Sequence, residues 1–342
     1  MRTGIGTRVI SEQMEAGMKA VVYDRMSLNR LSYCDVEKPV PGDTEILIRV
    51  HTTSLNAADY RLFKMGLGIP NTRIFGADVA GTIESVGKSV LTFKPGEDVV
   101  ADTSGCGFGG MAEYVRASQN TVVRKSPGVS FQDAAASPMA SVTALQALRD
   151  AGGIKQGQKV LIHGASGGVG TFAVQLAKFY DADVTAVCST GNVQRIRDLG
   201  ADHVIDYRAE DFTRNGIRYD LIVAVNGYHP LSAYKRSLAP AGTYVMIGGT
   251  FPQIIQSLLF GPMMSLGTRK IRSLAAKPNT ADLWFIMGLL QEGKLHPVID
   301  RAFPLAEGAA AFLYIAAGHA FGKVLVWVAE QDRELPQSGV RA

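Results

Sequence analysis

The segment 163–170, with the sequence HGASGGVG, could support either of two chemistries. As Gly-x-Ser-x-Gly, the residues from Gly164 to Gly168 form the pattern of a nucleophile elbow, in which Ser166 would attack an ester or an amide. As a turn of small residues before a helix, the same segment would present backbone N–H groups to the phosphates of a dinucleotide. Both interpretations require a strand before the segment and a helix after it, so the rest of the chain must decide between them.

The phosphate-binding interpretation depends on the spacing of the small residues. Ala165, Gly167 and Gly170 occupy the three positions of the dinucleotide-binding pattern G-x-G-x-x-G, with alanine in place of the first glycine. Large side chains are excluded there because the turn is tight, the backbone must approach the phosphates and the helix must pack close to the sheet. We therefore predict that six residues bind the coenzyme phosphates: Ala165, Ser166, Gly167, Gly168, Val169 and Gly170.

The end of the following strand indicates which dinucleotide is bound. An NAD site is expected to place an acidic residue there, about 20 residues beyond the glycines, to bind the ribose hydroxyls. This chain has Ser189 and Thr190 instead, whose hydroxyls can donate to a 2′-phosphate, so NADP(H) is favoured over NAD. Gly191 supplies no base, which means that neighbouring side chains would have to assist: Arg195, Tyr207 or Arg208. A polar turn that does not discriminate the phosphate is the alternative.

The hydrolase interpretation requires an acid and a histidine, in that order, after Ser166. Asp220 begins the strand YDLIVAV, whereas a triad acid belongs beyond the carboxyl end of its strand. His296 precedes a proline, and His319 lies in the loop-like segment GHAFGK. The phosphate-binding interpretation is therefore favoured over the nucleophile elbow.

The elements that must position these residues follow from the apolar pattern. Residues 18–138 contain short strand-like runs separated by Pro-Gly turns, which predicts a mostly β domain. Residues 139–296 alternate apolar strands with helices, which predicts an α/β domain with a doubly wound parallel sheet buried on both faces. Residues 297–330 return to strand composition and are expected to complete the first domain. The tails are 1–17 and 331–342.

Three local features are predicted with this pattern. Asn192 is expected to cap one helix, and Thr280 is expected to cap another helix that stops at Gly293. The most apolar segment, IIQSLLFGPMM at 254–264, is interrupted by polar residues, glycine and proline. We interpret it as a hydrophobic lid loop or an interface segment.

Composition excludes several classes of function. The 35 Lys and Arg are scattered among 31 Asp and Glu, with no basic block, so nucleic acid is not an expected partner. Cys34, Cys106 and Cys188 include no C-x-x-C pair, which fits a reducing compartment, and we expect a cytoplasmic location. No apolar run reaches the roughly 18 residues that span a membrane, so membrane contact is not expected.

A series of segments in one order resembles the medium-chain dehydrogenase/reductase superfamily. These segments are MKAVVYD, EILIRV, SLNAADYRL, FGADVAGTIESVG, GGMAEYV, GQKVLIHGASGGVGTFAVQLAK, LGADHVIDY and FGKVLV. They span residues 18 to about 328, and within the superfamily they are most similar to the zinc-independent quinone oxidoreductase branch. The resemblance implies a GroES-like β domain, a Rossmann domain, an active site in the cleft between them and a homodimer.

The resemblance also bears on metal and substrate. Zinc alcohol dehydrogenases of this superfamily have a catalytic cysteine where this chain has Asn56, and a histidine-glutamate pair where it has Ala77 and Asp78. The four-cysteine structural lobe is reduced to Cys106, so we predict no metal. Without a Lewis acid to hold an alkoxide, hydride transfer is expected to go to an acceptor that is already electrophilic, a quinone or an α,β-unsaturated carbonyl.

By the same resemblance, Asn56 and Tyr60 would hydrogen-bond the substrate or the ribose and stabilise the developing enolate oxygen, while Asp59 would hold their loop. Lys323 would approach the cofactor phosphates or lie solvated. The resemblance assigns these further residues to the coenzyme: Thr143, Asn226, Gly227, Ile247, Gly248, Gly249, Phe321 and Gly322. An NADP(H)-binding protein with little catalysis, acting as a redox sensor or structural protein, is the alternative function.

Overall fold

The structure, a computed structural model, describes residues 17–24, 30–65, 70–227, 229–249 and 251–329. The strands of this part of the chain are β1 (Gly17–Tyr23), β2 (Leu31–Glu37), β3 (Glu45–Leu55), β4 (Asp78–Val86), β5 (Asp98–Asp102), β6 (Tyr114–Ser118), β7 (Val122–Arg124), β8 (Lys159–His163), β9 (Asp183–Cys188), β10 (His203–Asp206), β11 (Tyr219–Val225), β12 (Leu238–Ile247), β13 (Lys270–Leu274), β14 (Ile299–Pro304) and β15 (Lys323–Trp327). Its α-helices are α1 (Ala57–Met65), α2 (Phe131–Ala136), α3 (Pro138–Gln146), α4 (Gly168–Phe179), α5 (Val193–Asp198), α6 (Leu231–Ser237), α7 (Phe251–Met264), α8 (Thr280–Gln291) and α9 (Gly308–Ala316).

The strands form two large sheets. One has the order β14-β15-β3-β4-β5-β7, with β6 also paired to β3, and β1 and β2 form a separate antiparallel pair beside it. Strand β15, from the end of the chain, pairs antiparallel with β3, so both ends of the chain contribute to this sheet. We propose the boundaries of the mostly β domain, 18–138 plus 297–330, from this chain path.

The second sheet is entirely parallel, with the order β10-β9-β8-β11-β12-β13. The chain moves outward from β8 to β10 and then returns to β11 on the other side of β8. A ligand of such a sheet binds outside the carboxyl ends of the strands at this reversal point. The segment HGASGG leaves the carboxyl end of β8, which places it at the reversal.

The core explains why β8 reads as a continuous apolar run. Val160 and Ile162 lie in the cluster packed under α3, α4 and α8, whereas Leu161 between them lies in the cluster on the opposite face of the sheet. Successive side chains of a strand point to opposite faces, and here both faces are covered. The prediction of a parallel sheet buried on both faces is confirmed.

Two local predictions are wrong. The segment 254–264 lies within the helix α7 rather than in a loop, since Gly261 and Pro262 fall in its last turn, where they end a helix instead of preventing one. The cap of α8 is Asn279, whose side chain accepts a hydrogen bond from the backbone N–H of Asp282, and Thr280 is the first helical residue.

Candidate active site

The turn after β8 forms a cradle of backbone groups at the start of α4. Gly164 has φ +87°, and a Cβ there would lie 2.0 Å from the carbonyl oxygen of Val225. A Cβ on Gly170 would lie 2.2 Å from the oxygen of Gly164, so α4 contacts the turn directly. The tight turn thus belongs to Gly164 and not to Ala165, which is fully buried. Sequence reasoning missed Gly164 because the G-x-G-x-x-G template begins one residue later.

The side of the cradle at Gly167 is open. This residue is the N-cap of α4, no side chain caps the helix, and a Cβ there would come no closer than 3.8 Å to a neighbouring atom. The first N–H groups of a helix have no partner within it and lie at the positive end of its dipole. The N–H groups of Gly168 and Val169 are therefore placed to bind an anion, and this is where phosphate binding was predicted.

The segment 321–323, where β15 begins, crosses this cradle. The backbone N–H of Gly322 donates to the carbonyl oxygen of Ser166 at 2.9 Å, and Phe321 beside it is buried. The stem of Lys323 passes Gly168, where an added Cβ would lie 3.1 Å from the lysine Cδ. The segment 321–323 thus joins the mostly β sheet to the cradle.

The ammonium of Lys323 is buried in a polar cluster. Its Nζ donates to Oδ1 of Asn56 at 2.6 Å and to Oδ2 of Asp78 at 3.1 Å, and the residue is 2% exposed. Nδ2 of Asn56 donates to the same Asp78 oxygen at 2.9 Å, as does the hydroxyl of Ser54 at 3.1 Å. The other Asp78 oxygen accepts from the N–H of Met139 at 2.9 Å. Lys323 therefore lies neither in solvent nor free for a phosphate, because Asp78 binds it.

Asp59 holds the start of α1 in place. Its carboxylate accepts from the N–H of Asn56 at 2.8 Å and from the N–H of Gly76 at 3.2 Å. Burial, together with the Asp78 charge, raises the pKa of Asp59 to about 7, although the two N–H groups and Lys323 oppose this shift. Burial and Asp78 also raise the pKa of Asp102 to about 6.

This burial predicts a pH dependence of stability that Asp59→Asn should weaken. Because the pKa of Asp59 is higher in the folded than in the unfolded chain, the folded chain binds the extra proton, and stability falls as the pH rises toward 7. We expect the wild type to lose about 2 kcal/mol of unfolding free energy between pH 5 and pH 8, and Asp59→Asn to lose clearly less. Urea unfolding at several pH values measures both. Parallel curves for the two proteins would contradict the prediction.

A second group of predicted residues lies at the carboxyl ends of β11 and β12. Asn226 has φ +57°, and its side-chain oxygen accepts from Nη2 of Arg61 at 2.5 Å. Gly227 packs against His163, where an added Cβ would lie 2.4 Å from Nδ1 of that ring. Ile247 is buried, and Gly248 and Gly249 follow it at positive φ. Arg61, from α1, was missed by sequence reasoning.

The remaining predicted residues are more scattered. Tyr60 is half-buried on α1, and Thr143 is buried on α3. The hydroxyl of Thr190 donates to Asp206 and lowers the pKa of that carboxyl, while Ser189 accepts from the side chain of Asn192 at 3.2 Å. Among the residues considered as helpers, Tyr207 is 53% exposed beside them, whereas the guanidinium of Arg195 stacks 3.6 Å from the centre of the Phe321 ring.

The structure brings no hydrolytic triad together at Ser166. Asp220 accepts from the N–H of Lys159 at the amino end of β8, whereas Ser166 follows the carboxyl end of that strand. His163 is bonded to the hydroxyl of Tyr234 at 2.8 Å, and burial lowers the pKa of this imidazole to about 4. His296 and His319 lie exposed. Ser166 thus has no base positioned to activate it among the residues that the structure describes.

Within the same described ranges, no three His, Cys, Asp or Glu side chains are grouped so that they could hold a metal ion, and no helix is both long and apolar enough to cross a membrane. At the position of the superfamily's zinc ligands, Asn56 and Asp78 bind the ammonium of Lys323, and a positive charge disfavours a metal cation there. We expect elemental analysis of the purified protein to find no stoichiometric zinc; one tightly bound zinc per chain would contradict this.

Comparisons with known proteins agree with this arrangement. Residues 42–127 match the family described as alcohol dehydrogenase GroES-like domain, and residues 199–326 match the family described as zinc-binding dehydrogenase. A chloroplast envelope quinone oxidoreductase homolog of Arabidopsis thaliana is 34% identical over 86% of this chain and 93% of its own. A mitochondrial NAD(P)H oxidoreductase of Bos taurus, RTN4IP1, is 32% identical over 90% of this chain and 89% of its own.

Among solved structures, the quinone oxidoreductase from Coxiella burnetii superimposes with a TM-score of 0.82 at 30% identity. The match covers 92% of this chain and 100% of that one, so it includes both sheets. The chain therefore belongs to the medium-chain dehydrogenase/reductase superfamily, in its quinone oxidoreductase-like branch.

Proposed function

We propose that this protein is an NADPH-dependent oxidoreductase that transfers hydride to a quinone or an α,β-unsaturated carbonyl acceptor. The observation that carries the proposal is the cradle at Gly164–Gly170, with the uncapped start of α4 open at Gly167. It lies at the reversal point of the parallel sheet, where such folds bind dinucleotides. The relatives named for quinone and NAD(P)H oxidoreduction support the reaction type.

The residues present fit a nicotinamide dinucleotide. The cradle would hold the phosphates, Ser189, Thr190 and Tyr207 would lie toward the adenosine ribose, and the ends of β11 and β12 with Phe321 and Gly322 would hold the nicotinamide part. When bound, the coenzyme supplies a hydride to the acceptor. The preference for NADPH over NADH is part of the proposal, and it is weakened by Asp206, whose carboxylate is bonded to Thr190 where a 2′-phosphate would approach.

The chain's own residues would then position and polarise the acceptor. Asp59 and the cluster of Asn56, Asp78 and Lys323 hold the start of α1, from which Arg61 bonds Asn226 at the end of β11. The buried cluster has a fixed cation where the superfamily's zinc enzymes bind their metal, so no protein-bound Lewis acid is available to stabilise an alkoxide. An acceptor that is already electrophilic needs none. Water is sufficient as the proton donor to the reduced product.

The proposal is tested first by binding and then by turnover. Fluorescence titration with NADPH and NADH gives the coenzyme preference, and we expect NADPH to bind more tightly. A screen of quinones, enals and enones that follows coenzyme oxidation at 340 nm is then expected to find at least one acceptor. Coenzyme binding without turnover on any acceptor would contradict the proposed reaction and favour a sensor or structural role. Absence of coenzyme binding would contradict the whole proposal.

We also propose a homodimer and a cytoplasmic location. The strand β13 is an edge of the parallel sheet, and α7 lies against it through a bond between Ser257 and Ser273 at 2.6 Å. Near this edge Leu259, Met263 and Leu266 are between 60% and 77% exposed, which suits association with a second copy. Light scattering should give the mass of two chains. The chloroplast and mitochondrial relatives make fractionation of the native cells the test of location.

A further inference from the structure

Arg61 extends from α1 to the carboxyl end of β11 in the parallel sheet. It lies on α1, next to the mostly β sheet, and its Nη2 donates to Oδ1 of Asn226 at the carboxyl end of β11. A Cβ on Gly248, which follows β12, would lie 3.0 Å from Nη1 of the same guanidinium. The guanidinium is therefore located where the central strands of the parallel sheet end, at the edge of the proposed coenzyme site.

The charge of Arg61 is not compensated by a neighbouring acid. The side chain is half-buried, and in the part of the chain that the structure describes no carboxylate lies within 4.0 Å of it. Arg149, by contrast, has its charge compensated, because its guanidinium pairs with both Asp150 and Asp282. A partly desolvated guanidinium bonded to a neutral amide retains donors and charge for an anion.

Two other donors of the predicted site, Asn56 and Lys323, are already committed. The side-chain amide of Asn56 bonds Lys323 through its oxygen and Asp78 through its nitrogen, and the residue is 8% exposed. The ammonium of Lys323 bonds Asn56 and Asp78 and is buried with them. If either residue turned toward an acceptor, it would break a hydrogen bond to the buried Asp78 carboxylate, which is costly. Arg61 is the cation that can act without such a loss.

We propose that Arg61 is a catalytic residue that hydrogen-bonds the carbonyl oxygen of the acceptor and stabilises the negative charge that forms there. This inference rests on the proposed function. With an enone, the hydride brings two electrons and forms a new C–H bond at the β-carbon, the π electrons move onto the carbonyl oxygen, and the resulting enolate takes a proton from water. With a quinone, the hydride forms an O–H bond at one carbonyl oxygen, the π electrons aromatise the ring and place the negative charge on the other oxygen, and this hydroquinone anion takes a proton from water. In both cases the nicotinamide coenzyme is oxidised. A preorganised cation at that oxygen lowers the barrier because the charge is larger in the transition state than in the acceptor.

The role of Arg61 should depend on the acceptor. In a simple enone the negative charge is concentrated on one oxygen, whereas a quinone spreads it over a ring and is more easily reduced without help. Loss of the guanidinium is therefore expected to slow an enone more than a quinone. A residue that only supported the fold would slow both equally.

The test compares three variants of the full chain. Arg61→Met removes the charge, Arg61→Lys keeps it, and Lys64→Met removes an exposed charge from the same helix as a control. With NADPH and methyl vinyl ketone, we expect Arg61→Met to lower kcat by about 10²- to 10³-fold, as loss of an oxyanion donor does in other enzymes. The loss with 1,4-benzoquinone should be smaller, Arg61→Lys should recover most of the rate, and Lys64→Met should match the wild type.

A binding measurement provides a readout that is independent of turnover. A phenolate bound in the cleft resembles the reduced acceptor anion, so the bound form of 4-nitrophenol should ionise at a lower pH in the wild type than in Arg61→Met, as followed at 400 nm. Circular dichroism and the melting temperature establish that each variant is folded, and NADPH titration should give similar Kd values for all of them.

Some results would overturn this role for Arg61 alone. Suppose that the wild type reduces acceptors and Arg61→Met reduces them equally well, or shows only a higher KM for carboxylate-bearing acceptors with an unchanged kcat. The guanidinium then does not stabilise the reacting oxygen. If the wild type reduces no acceptor, the proposed function fails, and the 4-nitrophenol measurement still decides the oxyanion site. An unchanged ionisation of 4-nitrophenol in Arg61→Met would then reject it.

Discussion

Lys323→Met is expected to lower the free energy of unfolding by about 3 to 5 kcal/mol, the range observed when one partner of a buried ion pair is removed. The ammonium of Lys323 is the group that compensates Asp78, which is fully buried with Asp59 close by and Asp102 nearly as buried. The substitution would remove the ammonium group that lies among the three buried acids Asp59, Asp78 and Asp102. Urea unfolding at pH 7.5 measures the loss.

An exposed ion pair offers the matched control for Lys323. Lys88 pairs with Asp43 at 3.1 Å, and the Lys88 side chain is 78% exposed. Lys88→Met should cost less than about 1 kcal/mol, since water screens such pairs. The double variant Lys323→Met/Asp78→Leu should be more stable than Lys323→Met alone, because it removes the unpaired charge. A loss below about 1 kcal/mol in Lys323→Met would contradict the prediction.

Gly167→Ala is expected to weaken NADPH binding by about 10- to 100-fold without lowering the melting temperature. The added methyl has room in the free protein, because its nearest neighbour is 3.8 Å away. It would occupy the open side of the cradle, where the phosphate must approach the first N–H groups of α4. Loss of one charge-assisted hydrogen bond, worth about 1.5 to 3 kcal/mol, corresponds to this change in Kd.

Two other glycines separate this effect from a general effect of an added methyl. Gly288→Ala lies in α8, where a Cβ meets no atom within 4 Å; it should leave Kd unchanged and raise stability by up to about 1 kcal/mol, because alanine is favoured over glycine in a helix. Gly170→Ala would place its Cβ 2.2 Å from the oxygen of Gly164, so it should lower stability as well as binding. Unchanged NADPH affinity in Gly167→Ala would show that the phosphates bind elsewhere.

The prediction from sequence was most accurate where one strand or one helix carried the signal. The alternation of apolar strands and helices predicts the parallel sheet, because a strand buried on both faces has no polar side to interrupt it. It was least accurate at element ends. The segment 254–264 contains Gly261 and Pro262, which are equally compatible with a loop and with the end of a helix. Packing against β13 decides that the segment is helical.

The same division applies to the site. The spacing of Gly167 and Gly170 before a helix was sufficient to predict the cradle, because the close contacts that require small residues there are made within a few residues of the same turn. The environment of Lys323 could not be predicted, because its partner Asp78 is 245 residues away in the sequence and is brought to it by the pairing of β15 with β3 and of β3 with β4. For the same reason Arg61, whose partner Asn226 is 165 residues away, was not among the predicted residues.

The sequence by itself determined the fold and the position of the glycine turn before α4, because these follow from periodicity and from backbone sterics within short segments. The order of its motifs indicated the family by resemblance. Only the tertiary structure decided which charges are paired. The free energy of a charged side chain depends on its burial and on partners within a few ångströms. The folded chain therefore places Lys323 in the interior against Asp78, and it pairs Arg61 with the neutral side chain of Asn226.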